Sequence, residues 1–143
     1  MTRSVSQKMG VREGMQAYLE NVPDSVLKDL NLPDLRIRAG LIGAFDYIHF
    51  FSVKQTELDA RLPTLKLHLE SSGMLWISWP KGKKLGSDLS LGKVIQIAYS
   101  HGLVESVALS INETWSGLKL TYPKKGKVYN NKYGELPKSV LRK

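Results

Sequence analysis

Lys81, Lys83 and Lys84 fall within four residues, with Gly82 between them and Gly86 just beyond, and this loop is the best candidate for a binding feature in the chain. Glycine lets backbone approach a ligand closely, and ammonium groups supply charge for a phosphate or carboxylate. The stretch is not a P-loop, because no Lys-Ser or Lys-Thr pair opens a helix at the required spacing. A solvated turn whose lysines oppose aggregation accounts for the same residues, since exposed loop lysines are common. Trp79 and Trp115 stand at strand ends. An indole there can wall a pocket, although core packing is the commoner role for so large a side chain. Asp88 lies just beyond the lysines, and Asn21 and Ser78 are expected at neighbouring strand ends. Together these residues make the candidate ligand-binding set, and a cavity between Asn21, Ser78 and Lys81 would separate a small-ligand site from purely surface functions.

Other chemistries find little support. The chain has no cysteine, which removes disulfides, thiolate nucleophiles and cysteine metal ligands. His49, His68 and His101 have no metal-ligand spacing, and the residues predict no metal site. No serine sits in a nucleophile elbow, and no carboxylate pair stands out for acid–base work. The reading therefore names no catalytic residue and no cofactor, and it leans away from an enzyme.

The elements that hold the candidate residues follow from apolar spacing. Met15–Leu19 reads as a short buried strand, and Pro23-Asp24-Ser25 opens a helix with Val26, Leu27 and Leu30 on one face. Leu35–Arg38 alternates apolar and basic residues, as a half-exposed strand does. Phe45–Val53 is aromatic and β-branched, which suits a central strand. Thr56 is placed to cap a helix with Leu58, Leu62, Leu65 and Leu69 on one stripe, kinked or split at Pro63. Met74–Trp79 is the next strand, with Trp76 and Ser78 on one face and Ile77 and Trp79 on the other. The basic loop Pro80–Ser87 follows. Ser90 then caps a helix closed by Gly102. Leu103–Ile111 and Trp115–Tyr122, joined by Asn112-Glu113-Thr114, read as an antiparallel hairpin.

A length of 143 residues with 42% apolar and 24% charged composition fits one packed domain. The net charge of +8 is uneven: from Pro123 onward seven basic residues face one acid, Glu135, so the tail carries most of the excess. Residues 1–122 are accordingly read as one α/β domain. Residues 123–143 are read as a flexible basic tail, dispensable for folding. The N-terminal residues lack the apolar run of a signal peptide, and no stretch approaches the roughly 20 apolar residues of a membrane span. A cytoplasmic protein without a membrane partner is expected.

The order of elements resembles the C-terminal half of class I methyltransferases, and Leu69-Glu70-Ser71-Ser72-Gly73 looks like the turn before the fifth strand of those enzymes. Ser78-Trp79-Pro80-Lys81, Ser87-Asp88-Leu89 and Glu113-Thr114-Trp115-Ser116-Gly117-Leu118-Lys119 are more specific. They resemble a family of small bacterial proteins of uncharacterised function with a reduced methyltransferase-like domain. Met9-Gly10-Val11 through Glu13-Gly14-Met15 is similar to that family's entry into its first strand. The resemblance spans residues 9 to 122. It implies a single reduced Rossmann-like, methyltransferase-type α/β domain of three layers, with a mostly parallel sheet ending in an antiparallel hairpin.

The resemblance also exposes two departures. A methyltransferase cofactor turn needs glycines after the first strand, whereas this chain has Glu20-Asn21-Val22-Pro23-Asp24. The acid that would hold a ribose diol is replaced by the cations of Leu35-Arg36-Ile37-Arg38. Three readings follow. The first is a non-catalytic domain binding a protein partner or small anionic ligand at the C-terminal edge of the sheet. The second is a divergent S-adenosylmethionine-dependent methyltransferase. The third is weak nucleic-acid binding by the basic tail, whose Tyr129 and Tyr133 can stack on bases.

Overall fold

Phe45–Phe51 and Leu69–Pro80, rich in aromatic and branched residues and buried over most of their length, form the two central strands of a six-stranded sheet. The computed structural model describes residues 3–131 and 133–136. In chain order the elements are α1 (Val5–Met9), β1 (Gln16–Glu20), α2 (Asp24–Leu30), β2 (Arg36–Ile37), β3 (Phe45–Phe51), α3 (Gln55–Leu67), β4 (Leu69–Pro80), α4 (Leu91–Ser100), β5 (Val104–Ser110) and β6 (Trp115–Thr121). A small hairpin, β7 (Asn130–Asn131) with β8 (Gly134–Glu135), follows.

The strand order is β2-β1-β3-β4-β6-β5. The first four strands run parallel, β6 is antiparallel to β4, and β5 is antiparallel to β6. Helices cover both faces. Met9, Val26 and Leu30 from α1 and α2 join Tyr47, Phe51, Trp76 and Trp115 in one core. Leu58, Leu62, Leu65, Val94 and Ala98 from α3 and α4 join Ile48, Phe50, Ile77, Trp79 and Leu118 in the other. This is the three-layer Rossmann-type arrangement that the sequence implies, with the antiparallel hairpin at one edge.

Local differences have physical causes. α1 was not foreseen, yet its signals are present: Ser4 Oγ accepts from Gln7 N and Gln7 Oε1 accepts from Ser4 N, a capping box, and Gly10 closes the helix in the left-handed region. α3 begins at Gln55, and Thr56 does not cap it. The helix passes through Pro63 without losing its first turn. Leu69 belongs to β4 and not to the helix, and residues 70–73 bulge out of register. At Gly73 a Cβ would lie 2.9 Å from the Phe45 carbonyl oxygen, which makes glycine necessary there.

The packed core also passes residue 122. Leu136 is buried in the α3–α4 core, and Tyr129 and Tyr133 pack against it. The ring of Tyr133 lies over Gly92 of α4, where a Cβ would come within 2.5 Å of it. The expectation of a flexible appendage from residue 123 weighs charge alone, whereas Tyr129, Tyr133 and Leu136 are apolar or aromatic anchors on the α3–α4 core. Lys132, Lys138, Arg142 and Lys143 lie outside the described residues. No helix among the described residues is long and apolar enough to cross a membrane.

Candidate functional site

The two most specific motif stretches are bonded strand to strand. Ser78 pairs with Gly117, Trp79 with Ser116 and Pro80 with Trp115. Lys81 continues this contact: its N–H donates to the Thr114 carbonyl at 2.7 Å, and its ammonium donates to Ser110 Oγ. The lysine at the strand end is therefore tied to the β5–β6 hairpin.

Beyond it the backbone turns tightly. Gly82 (φ 57°), Lys83 (φ 60°) and Leu85 (φ 56°) all adopt left-handed conformations. For Lys83 and Leu85 the clash of Cβ with backbone costs on the order of 1–2 kcal/mol each. The Gly86 carbonyl accepts from Lys54 Nζ at 2.7 Å and the Lys84 carbonyl from Ser87 N at 3.0 Å, which holds the turn in place. Lys83 and Lys84 are exposed, as is Leu85.

The remaining candidates are dispersed. Asp88 Oδ1 accepts from Gln55 N at 2.8 Å and its carbonyl from Gln55 Nε2 at 2.7 Å, so its side chain caps α3 from a distant segment. Asn21 is left-handed at the end of β1 and donates through Nδ2 to the Phe51 carbonyl. β3 stands between it and β4, so two strand spacings, about 10 Å, separate it from Lys81. Trp79 packs in the α3–α4 core and Trp115 in the opposite core, edge-on to Phe51 at 5.3 Å. Ser78 is fully buried. Asn21, Ser78 and Lys81 consequently do not converge on one ligand.

Ser78 instead ends a buried polar chain that sequence reasoning missed. The Tyr47 hydroxyl lies 2.6 Å from His49 Nδ1, and His49 Nε2 lies 2.7 Å from Ser78 Oγ. The imidazole stacks on Phe51 at 4.3 Å and is fully buried. Burial pushes its pKa down to about 3, so it stands neutral, with one ring nitrogen donating and the other accepting. Burial likewise holds the Tyr47 hydroxyl far above the ordinary tyrosine range. The alternation Tyr47, His49, Phe51 places all three on one strand face, and that pattern was the available signal. The other histidines serve helix ends: His68 Nδ1 meets the Gly43 carbonyl at 2.6 Å, and His101 Nε2 meets Asp59 Oδ1 at 2.7 Å. Among the described residues no three His, Asp or Glu side chains are grouped to hold a metal.

At the turn after β1, the residues do not fit S-adenosylmethionine in its ordinary pose. No glycine is present, and Pro23, which precedes α2, has no N–H to offer. Both Glu20 oxygens are taken by Arg61, at 2.6 and 2.7 Å, and Tyr18 donates to one of them. The Arg61 guanidinium holds the Glu20 carboxyl below the usual range. Beside this turn Phe51, Trp115 and Ile111 are buried in one cluster, with Val22 and Val53 packed against it.

The geometry so described is that of a methyltransferase-like Rossmann domain. Comparison with solved structures supports this class. A ribosomal protein L11 methylase from Lactobacillus delbrueckii superposes with a TM-score of 0.54 at 13% identity, covering 83% of this chain and 76% of that one. Magnesium protoporphyrin IX methyltransferase from Synechocystis, with bound S-adenosylmethionine, gives 0.54 at 9% identity over 83% and 74%. An S-adenosylmethionine-dependent methyltransferase from Clostridium acetobutylicum gives 0.55 at 7% identity over 84% and 89%. At these identities the likeness is one of fold. No family model and no curated protein sequence matches the chain.

Proposed function

We propose that this chain is a methyltransferase-fold domain that binds a small phosphate-bearing ligand at the Lys81–Gly86 turn and does not transfer methyl groups. The observation that carries the reading is backbone strain: Lys83 and Leu85 are held left-handed at the C-terminal end of a central strand. Open α/β sheets bind ligands at that edge, and strain of this kind clusters at ligand clamps. The exposed ammonium groups of Lys83 and Lys84 add the matching charge. A thermal-shift screen with inorganic phosphate, a nucleoside diphosphate and a sugar phosphate tests it. At least one should raise the melting temperature of the wild type, and the Lys83→Ala/Lys84→Ala variant should lose that rise. The same variant should keep its ligand-free stability within about 0.5 kcal/mol, because exposed lysines contribute little to folding. Absence of stabilisation by all three anions, or equal stabilisation of the variant, refutes the reading.

A second reading, a divergent S-adenosylmethionine-dependent methyltransferase with a relocated pocket, is favoured by the structural neighbours, which are methyltransferases. Calorimetric titration separates the two. Saturable micromolar binding of S-adenosylmethionine supports the second reading; the first requires that none be seen.

A further inference from the structure

The sheet ends abruptly beside β1. β2 has two residues and is the last strand on that side among the described residues. Doubly wound sheets of this type continue with a further strand at that edge. Here only residues 38–44 separate β2 from β3, too few for a helix and another strand. Arg36 N donates to the Met15 carbonyl and Arg38 N to the Ala17 carbonyl, each at 2.9 Å. Those two residues thus turn their backbone groups toward β1. By the alternation of a strand, the N–H and C=O of Ile37 face outward, an unused template for pairing.

The two arginines at this edge guard it against cationic or uncharged strands, while exposed apolar surface lies beside them. The Ile37 side chain is 54% exposed and Ile42 is 81% exposed. A cleft of about 320 Å³ lined by Gln16, Arg38, Ala39, Gly40 and Ile42 lies alongside. Arg36 and Arg38 share one face of the strand and Ile37 occupies the other.

We propose that the β2 edge accepts, by strand addition, an extended segment of another protein in which acidic and apolar residues alternate. Charge selects this occupant. Directly paired residues share a face, so acids flanking an apolar residue oppose Arg36 and Arg38 while the apolar residue meets Ile37. A second copy paired antiparallel about Ile37 would set Arg36 against the other copy's Arg38, a repulsive arrangement. The chain's own C-terminal sequence, with Lys138, Arg142 and Lys143, carries the wrong sign of charge for such an occupant.

Fluorescence anisotropy with labelled ten-residue peptides tests this on the full chain. A strictly alternating Glu/Val peptide should bind saturably, whereas a Lys/Val peptide should not. Ile37→Pro removes the outward N–H and leaves both bonds to β1, and it should weaken Glu/Val binding at least tenfold. Arg36→Glu/Arg38→Glu, an exposed pair of changes that leaves the core intact, should reverse the preference toward Lys/Val. The proposal fails if the Glu/Val peptide does not saturate, if Ile37→Pro binds it unchanged, or if charge reversal leaves the preference as it was. Sedimentation showing that the wild type self-associates and Ile37→Pro does not would assign the edge to a second copy and also overturn it.

Discussion

Replacing His49 with glutamine should remove a specific part of the protein's acid sensitivity. In the folded chain this imidazole is fully buried between Tyr47 and Ser78 and resists protonation down to about pH 3, while an unfolded chain takes up the proton near 6.5. The unfolded state thus binds more protons throughout that interval. Stability is complete above pH 6.5 and falls as pH drops toward the folded value. Each pH unit inside the interval removes about 1.4 kcal/mol, so going from pH 7 to pH 5 should cost the wild type about 2 kcal/mol through this residue alone. Urea denaturation at pH 7, 6 and 5 measures the loss. His49→Gln should start lower at pH 7 by about 1–3 kcal/mol, because it disturbs the bonds to two buried hydroxyls. Its stability should then decline about 2 kcal/mol less than the wild type over the same range. His68, His101 and the carboxylates are common to both proteins and cancel in the difference. Parallel declines would refute the reasoning, since they would mean that His49 is charged in the fold or reached by water.

Leu136→Ala should lower stability by about 2–3 kcal/mol, because a buried side chain would leave a cavity against α4; an unchanged urea midpoint would place Leu136 outside the core. Arg61→Leu should cost about 1–2 kcal/mol at pH 7, a value between those of exposed and buried ion pairs, since its partner Glu20 is only partly exposed. The Glu20 carboxyl is held below its ordinary pKa, so this contribution is present above the unfolded value of 4.5 and disappears as pH falls through the folded one. The gap between wild type and Arg61→Leu should accordingly close in acid, which chemical denaturation at pH 7 and pH 3 would record.

Much of the architecture was legible because it depends on local periodicity. The alternation in Met74–Trp79 separates Trp76 from Trp79, and they do enter opposite cores. Leu58, Leu62 and Leu65 repeat at helical spacing and are buried. The hairpin of β5 and β6 was likewise readable from the short turn Asn112-Glu113-Thr114 between two apolar runs. The capping residue of α3 was not readable, because Asp88 reaches Gln55 across 33 positions and a local scan finds only Thr56. Net charge misled at Tyr129, Tyr133 and Leu136, which pack on the α3–α4 core although the local composition is basic.

The candidate site divides in the same way. The sequence alone determined that a lysine-rich, glycine-containing turn leaves a central strand, and that the turn after β1 lacks the glycines of a cofactor site. Only the tertiary structure decided which of the candidates share a place. It ties Lys81 to the β5–β6 hairpin, gives Asp88 to a helix, sends Trp79 and Trp115 to opposite faces, and joins Ser78 to His49 and Tyr47 in the interior. Composition and spacing record which groups a chain owns. Whether a polar group faces solvent or a buried partner depends on the parallel pairing of β3 with β4, which brings His49 beside Ser78 from 29 positions away.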